Sequence, residues 1–273
     1  MSDPVFVVPD LAGQLVRVGE TGVFTLPDAE VRHASVKRMR QDESVVLTDG
    51  SGLGVAGHWA GDGTVVGGHR IGGHEPRPRV TVVQAIPKSD RAELAVDLAV
   101  QAGADRIIPW QADRCVSRWT GGRGGKSDKS AKAHARWAAT AVAAMKQSRR
   151  LSGAHVGELL TDIDDLRERL ASRPWAAPED DRTPTVRVLV LHEDATTPLA
   201  GVDLDVDEVV LVIGPEGGVS DREIAAVTSA PESAPDGLEA GQSVVLGPEV
   251  LRTATAAAVA LGAIGVLTTR WSR

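Results

Sequence analysis

Apolar and polar positions alternate in short steps over the first part of the chain. Five apolar runs, VFVV, GVFTL, SVVLTDG, LGVAGHWA and GTVVGGHRI, follow one another from residue 5 to residue 71, separated by Gly and Asp. Short runs with closely spaced turn signals are typical of a small β-barrel or sandwich. Among these runs, residues 30–43 predict a helix whose Lys and Arg residues suit either an RNA contact or a plain solvated surface.

A strand-helix-strand pattern replaces the short β runs after the proline-punctuated segment HEPRPRV. The apolar run 80–86 predicts a buried strand, and Asp90 and Glu93 have the D-x-x-E spacing of a helix start. The apolar stretch RIIP then predicts the next strand. Strand, helix and strand in this order predict a β-α-β unit, and therefore an α/β domain with a parallel sheet. We place the boundary between two domains, 1–75 and 76–273, at this change of pattern.

Two strand-to-helix turns stand out in the last third of the chain: LVIGPEGGV at 211–219 and VLGPEVLRTAT at 245–255. In each, an apolar run leads into a Gly-Pro turn and a helix start follows. Ser220 and Glu223 have the spacing of a capping box, so a helix is expected to begin at Ser220. Pro248 is expected near the first turn of an Ala-rich helix, where a missing N–H does no harm.

The glycines of the first turn suggest a ligand. Gly214, Gly217 and Gly218 let the backbone take left-handed angles and let a ligand approach closely. Because ligands bind at the carboxyl ends of strands in α/β sheets, the two turns are expected to line one pocket. Neither turn is a common nucleotide motif, since the first has no G-x-G-x-x-G and the second has no lysine for a phosphate.

Composition excludes several classes of protein. The 273 residues are 42% hydrophobic, yet no apolar run is long enough to span a membrane, and the N-terminus lacks the features of a secretory signal. The single cysteine, Cys115, excludes an internal disulfide framework, and the histidines lack the company of other metal ligands. We therefore expect a cytoplasmic protein without a metal site.

The net charge of -7 is unevenly distributed. Residues 1–75 carry a net charge of -4, residues 76–152 carry +9 and residues 153–273 carry -12. A basic block inside an acidic chain indicates a polyanionic partner, with a solvated helix face as the alternative. Within that block, Gly-Lys-Ser at 125–127 resembles a phosphate-binding loop, but Thr120 occupies the motif's first glycine position, which disfavours an NTPase.

Five stretches together resemble one family. QAIPKSDRAE, QADRCV, KQSRR, LVIGPEGGVSDRE and LGPEVLRTATA occur in the order found in the SPOUT-class RNA methyltransferases of the RsmE type, which methylate N3 of a uridine in bacterial 16S ribosomal RNA. The resemblance covers almost the whole chain. It implies an N-terminal PUA-like β-barrel and a C-terminal α/β domain with a trefoil knot. It also implies S-adenosylmethionine as cofactor, a homodimer, and the small ribosomal subunit as partner.

The resemblance also carries over site residues, motif by motif. Three loops are implied to bind the cofactor. Their residues are Leu191, His192, Glu193, Ile213, Gly214, Pro215, Glu216, Gly217, Gly218, Leu246, Gly247, Pro248, Leu251, Arg252 and Thr253.

For methylation at N3, Arg252 is predicted to support the negative charge that develops on the base, the alternative being a structural ion pair. Glu216 either accepts the proton or holds backbone amides of the loops. Three positions depart from the family pattern: Ala254 and Lys146 stand where the family has glutamates, and Gln101 replaces a frequent glutamate. The first departure removes one carboxylate that would otherwise be a candidate base.

The RNA is expected to contact basic residues from both domains. The expected residues are Arg38, Lys88, Arg91, Arg114, Arg118, Arg123, Lys126 and Arg150. Two alternatives stay open: a SPOUT enzyme that acts on another RNA or position, and a non-catalytic RNA-binding protein.

Overall fold

The structure, a computed structural model, forms two compact units. One unit combines Met1–Glu75 with Val142–Gly153, and the other combines Pro76–Ala141 with Ala154–Arg273. The residues that the structure describes are 3–72, 76–88, 91–121, 129–171, 184–229 and 240–272.

Among the described residues, the first unit contains a five-stranded sheet, helices α1 and α2, and the end of α4 (Ser130–Ser148). Its strands follow the order β1-β3-β4-β5-β2, with β1 parallel to β3 and every other pair antiparallel. Each of the five apolar runs forms a strand, as predicted, around a core that includes Phe6, Phe24 and Leu47. The elements are β1 (Val5–Val7), α1 (Leu11–Val18), β2 (Val23–Thr25), α2 (Asp28–Val36), β3 (Ser44–Thr48), β4 (Leu53–Gly61) and β5 (Thr64–Gly72).

The helix predicted over residues 30–43 is wrong in its second half, because α2 ends at Val36. Arg38 takes a φ of 53°, in the left-handed region. Its N–H donates to the carbonyl of Ser35, and the N–H of Met39 donates to the carbonyl of Ala34. These two bonds form a Schellman motif, which ends a helix at a left-handed residue. Helix α1 was not predicted from the sequence.

The second unit contains a six-stranded sheet in which every pairing is parallel, which confirms the predicted α/β architecture. The strand order is β11-β9-β10-β6-β7-β8. Strands β7 and β10 are buried along their whole length, as in parallel sheets covered on both faces. The elements are β6 (Arg79–Ala85), α3 (Arg91–Gln101), β7 (Arg106–Trp110), α4 (Ser130–Ser148), β8 (His155–Val156), α5 (Leu166–Ala171), β9 (Val186–Leu191), β10 (Glu208–Ile213), α6 (Asp221–Thr228), β11 (Gln242–Val244) and α7 (Thr253–Leu267).

Helix α3 lies where the sequence predicts a helix, with Glu93 in its first turn, whereas Asp90 lies outside the described residues. Helix α4 ends with a second Schellman motif, in the part of the helix that belongs to the first unit. Arg149 there has a φ of 60° and donates its N–H to Lys146, while the N–H of Arg150 donates to Met145. Helices α2 and α4 therefore both end at an arginine in a conformation that favours glycine.

Candidate functional site

Three loops leave the second unit's sheet at the same edge. Leu191, the last residue of β9, is paired in register with Ile213 of β10 on one side and with Val244 of β11 on the other. Because all three strands are parallel, the segments that follow them begin side by side. The structure thus brings together the starts of the three loops that the sequence singled out.

The glycines of the first loop serve close packing more than left-handed geometry. Only Gly218 has a positive φ, of 74°. A Cβ on Gly214 would lie 2.7 Å from Cγ2 of Val219, and one on Gly217 would lie 3.1 Å from Cβ of Arg114. The expectation of left-handed angles is therefore wrong for Gly214 and Gly217. Their small size is required instead by neighbouring side chains.

Polar contacts brace this loop from two neighbouring segments. The exposed Glu216 accepts the N–H of Lys88 through Oε1 at 3.0 Å. Nη1 of Arg114 donates to the carbonyls of Gly217 and Val219, each at 3.3 Å. The Glu216 contact is of the kind expected for a carboxylate that holds backbone amides. Arg114, expected to bind RNA, has its guanidinium committed to the loop.

The helix after this loop begins with the predicted capping box. Glu223 is buried and accepts three hydrogen bonds. Ser220 donates its N–H at 2.8 Å and its hydroxyl at 2.9 Å, and the N–H of Asp113 donates at 2.8 Å. The last of these bonds ties the start of α6 to the segment after β7. Asp113 and Glu223 are 110 residues apart in the chain, so the pattern S-x-x-E predicted the capping box but not this hydrogen bond.

An ion-pair cluster surrounds the same corner. Arg222 lies 3.4 Å from Asp113 and 3.2 Å from both Asp162 and Asp164. Hydrogen bonds from Arg222 and then from Ser220 lower the pKa of Asp113 below its usual range. Asp113 therefore stays ionised and holds the segment after β7 against the start of α6.

The second Gly-Pro loop has a backbone with few internal partners. The N–H of Val245 donates to the carbonyl of Thr197 at 2.9 Å. In the part of the chain that the structure describes, the backbone groups of residues 246–251 make no hydrogen bond. Pro248 is not in the first turn of a helix, because α7 begins only at Thr253 and extended backbone precedes it. The loop thus presents a row of free donors and acceptors at the sheet edge.

Arg252 stands where this loop meets α7. Its carbonyl accepts the N–H groups of Thr255 and Ala256, while its exposed guanidinium has no partner among the described residues. Ala254, one of the departures from the family pattern, is buried. A free cation at the edge of the site can stabilise negative charge on a ligand.

Local hydrogen bonds hold the third loop, which follows β9 and begins at His192. The N–H of His192 donates to the carbonyl of Val244 at 3.0 Å, and Nδ1 of His192 accepts the N–H of Asp194 at 3.2 Å. Nδ1 is thus the unprotonated ring nitrogen. Glu193 is exposed. These bonds hold the loop beside the end of β11.

Sequence reasoning missed one residue of the site, Gln84. It is buried at the end of β6, where its backbone pairs in register with Ile213. Its Nε2 donates to the carbonyls of Ala85, at 3.0 Å, and of Thr253, at 3.4 Å. In the sequence, the sign that could have pointed to Gln84 was its side-chain amide inside the apolar run 80–86.

The predicted RNA contacts fall into separate groups. Lys88, Arg91, Arg114 and Arg118 belong to the second unit, whereas Arg38 and Arg150 belong to the first. Nη2 of Arg118 donates to the carbonyl of Asp113 at 3.1 Å. The last two expected contacts, Arg123 and Lys126, lie outside the described residues.

Lys146 has partners within the first unit. Its Nζ lies 2.7 Å from Oε2 and 2.8 Å from Oε1 of Glu30, and 2.8 Å from Nδ1 of His33. Burial, and then the Lys146 ammonium, lower the pKa of His33 below 6.5. Glu30 thus gives a buried partner to the lysine that stands where the resemblance implies a glutamate.

A reactive Cys115, a group of metal ligands or a membrane-spanning helix would each point to a different kind of function. Burial raises the pKa of the Cys115 thiol to about 11, which agrees with an unreactive cysteine. No group of His, Cys, Asp and Glu suited to a metal ion occurs among the described residues. Likewise, none of the described helices is long and apolar enough to cross a membrane.

Comparisons with known proteins identify relatives of this arrangement. Residues 74–265 match the family described as RNA methyltransferase domain. The chain is 40% identical over 264 residues to ribosomal RNA small subunit methyltransferase E of Mycobacterium bovis, with 92% of this chain and 90% of that protein covered.

Two solved structures have a similar fold over almost the whole chain. Ribosomal RNA small subunit methyltransferase E from Neisseria gonorrhoeae, bound to S-adenosyl methionine, superposes with a TM-score of 0.73 at 25% identity, over 97% of this chain and 98% of that one. A protein from Legionella pneumophila, solved with bound SAM, shares the fold with a TM-score of 0.70 at 23% identity, over 97% and 98% of the two chains.

Proposed function

The chain belongs to the RNA methyltransferase family, with relatives named ribosomal RNA small subunit methyltransferase E, and on this premise we propose that it methylates N3 of a uridine in 16S ribosomal RNA, with S-adenosylmethionine as methyl donor. The observation that carries the proposal is the common sheet edge at which Ile213, Leu191 and Val244 lie in register. The family's cofactor motifs all begin at or next to this edge.

The residues at the edge fit the cofactor. Residues 246–251 offer free backbone donors and acceptors, and the loop that begins at Gly214 is braced in place by Lys88 and Arg114. A nucleoside with a charged amino-acid tail needs donors and acceptors of this kind in a concave site. When bound, S-adenosylmethionine supplies an electrophilic methyl group on its sulfonium.

The protein's own part in the reaction is positioning and electrostatic support. Uridine N3 must lose its proton, which leaves negative charge spread over O2 and O4. The guanidinium of Arg252, free among the described residues, binds that charge through its planar fork. Glu216 holds the amide of Lys88, and through it the loop, while the proton of N3 passes to solvent water.

Two finer features of the fold are part of the proposal. The first unit's sheet is of the PUA-like barrel kind, and the chain between β11 and α7 is the threaded segment of a trefoil knot. The strand order supports the latter, because α7 leaves the edge strand β11 yet packs against β10, β6 and α3 further inside the sheet. We assign an RNA-binding barrel to residues 1–75 and the methyltransferase domain to residues 76–273, with RNA contacts from both.

The substrate is RNA of the small ribosomal subunit. The basic block at residues 76–152 supports this assignment, as does the exposed Arg38 of the first unit. Within the block, Arg114 binds the cofactor loop, so the RNA contacts fall to the other basic residues. A substrate of this kind places the enzyme in the cytoplasm.

The enzyme acts as a homodimer through α7. This helix has no charged residue, yet Val259, Val266 and Leu267 are exposed on it, and Leu94 is exposed on α3, which packs against α7. An exposed apolar surface on a packed helix is typical of a subunit interface. A second copy of the chain would cover it by the same patch, in a two-fold arrangement.

The test is transfer of labelled methyl from S-adenosylmethionine to small-subunit particles that lack the modification, followed by nucleoside analysis of the RNA. N3-methyluridine at one site is the expected product. A different methylated nucleoside would assign another position. RNA binding without cofactor binding would identify a non-catalytic protein instead.

A further inference from the structure

Gln84 connects two of the cofactor loops. Its backbone lies beside Ile213, from which the first loop leaves, and its side-chain amide reaches the carbonyl of Thr253, where the last loop ends. Gln84 and Thr253 are 169 residues apart in the chain. No other hydrogen bond between described residues joins β6 to the end of this loop.

The amide of Gln84 makes only half of the bonds that it is able to make. Its Nε2 faces two carbonyls, so this end of the amide must be the donor and the other end the oxygen. That oxygen, Oε1, is buried and has no donor among the described residues. A buried acceptor without a donor costs stability, so an apolar side chain of the same size would suit the folded protein at least as well.

We propose that Gln84 is a positioning residue for the cofactor, which holds Thr253 and the loop before it in the shape that binds S-adenosylmethionine. The inference rests on the proposed cofactor. The 3.4 Å contact with Thr253 is long for an N–H···O bond and adds little to the stability of the fold. The amide is thus present for binding, not for the stability of the fold.

Gln84→Met tests this directly, because methionine is unbranched, of similar length and lacks both the donor and the orphaned acceptor. Calorimetric titration of the full-length variant with S-adenosylmethionine is expected to show a Kd raised about tenfold. Thermal unfolding without cofactor is expected to give a Tm within about 3 °C of the wild type, or above it.

Thr81→Val is the matched control. Thr81 is also a buried polar residue of β6, and its hydroxyl donates to Glu208 at 2.5 Å, away from the loops. This variant is expected to lower the Tm and to leave the Kd for S-adenosylmethionine unchanged. Gln84→Met should therefore change the affinity but not the stability, and Thr81→Val should change the stability but not the affinity.

Gln84→Glu gives an independent check should the methionine variant fold poorly. A buried carboxyl is protonated more readily than an exposed one, and its protonated form regains a donor for Thr253. Cofactor affinity of this variant is expected to improve as pH falls, relative to the wild type at each pH.

Unchanged affinity in Gln84→Met would overturn the inference, and so would a loss of stability without a loss of affinity. A pH response of Gln84→Glu identical to that of the wild type would also count against it. A wild-type protein that binds no S-adenosylmethionine would instead overturn the proposed function, and this inference with it.

Discussion

Lys146 and Glu30 form an ion pair that is almost removed from solvent, each side chain being 12% exposed. Replacing the lysine by a carboxylate would leave two buried negative charges side by side, which is strongly unfavourable. Lys146→Glu, which restores the residue that the family resemblance implies, is therefore expected to lower the free energy of unfolding by about 3 kcal/mol. Urea denaturation measures the change.

The matched control reverses the pair. Glu30→Lys combined with Lys146→Glu should recover much of the loss, and the coupling free energy from the double-mutant cycle isolates the pair. Equal stability of Lys146→Glu and the wild type would show that the pair contributes nothing.

His33, beside this pair, makes stability depend on pH. Burial and the Lys146 ammonium lower the pKa of His33 in the folded protein below 6.5, whereas Glu30 opposes the shift. As pH falls through about 6.5, the unfolded chain takes up a proton that the folded protein does not, so stability must fall. We expect His33→Gln, whose amide oxygen still accepts from Lys146, to show a shallower loss between about pH 7 and pH 5.5.

The difference between the two unfolding curves is the measurement for His33. It cancels the contribution of His155, whose pKa is also lowered, chiefly by burial. Parallel curves for His33→Gln and the wild type would contradict the prediction.

Arg38 and Arg149 hold left-handed backbone at two helix ends, where glycine is the easier residue. Replacing each with glycine is expected to raise the free energy of unfolding by about 1 kcal/mol. Because Arg38 is one of the residues expected to contact RNA, its replacement should also weaken RNA binding and reduce the slope of log K against log salt by about one.

Asp62→Gly is the control for this pair, since Asp62 also has a positive φ in the first unit but carries a negative charge. It should gain stability without losing RNA affinity. A glycine variant of Arg38 that binds RNA as well as the wild type does would remove this residue from the predicted RNA contacts.

Arg252→Ala is expected to lower kcat about 100-fold while the Kd for S-adenosylmethionine changes little, because its guanidinium supports charge that develops only during transfer. Single-turnover methylation of small-subunit RNA, with calorimetry for the cofactor, measures both quantities. Arg252→Lys should recover part of the rate by restoring the charge without the fork. Near-native turnover of Arg252→Ala would leave a structural role only.

Glu216→Gln removes the charge that accepts the Lys88 amide but keeps an oxygen acceptor. Weaker cofactor binding, with the rate at saturating cofactor preserved, is the expected result for a residue that shapes the loop. Charge-assisted bonds are about twice as strong as neutral ones, so the loss of affinity should be modest. A large fall in the rate at saturating cofactor would instead identify Glu216 as the base.

Local patterns in the sequence predicted most of the elements, because a strand or a capping box is determined by neighbours in the chain. The five strands of the first unit and the capping box at Ser220 are examples. The end of α2 was missed because Arg38 occupies a position at which sequence rules expect glycine. Pro248 misled for a similar reason, since a proline that suits a first helical turn also suits the extended backbone before one.

The contacts that the sequence did not predict join residues far apart in the chain. Gln84 bonds to Thr253, and Glu223 accepts the amide of Asp113, 110 residues away. Lys146, 116 residues from Glu30, was visible only as a departure from a family pattern. Such contacts depend on the packing of the folded chain, which no local pattern encodes.

The strand order has a consequence for biosynthesis. Strands β9 and β10 lie inside the sheet and β11 lies at its edge. The loop after β11 is synthesised after all the strands. A nascent chain that has emerged only as far as β10 therefore has the middle of the sheet but lacks the loop before α7, one of the three loops that we propose to bind the cofactor. We therefore expect cofactor binding to begin only after α7 has been synthesised.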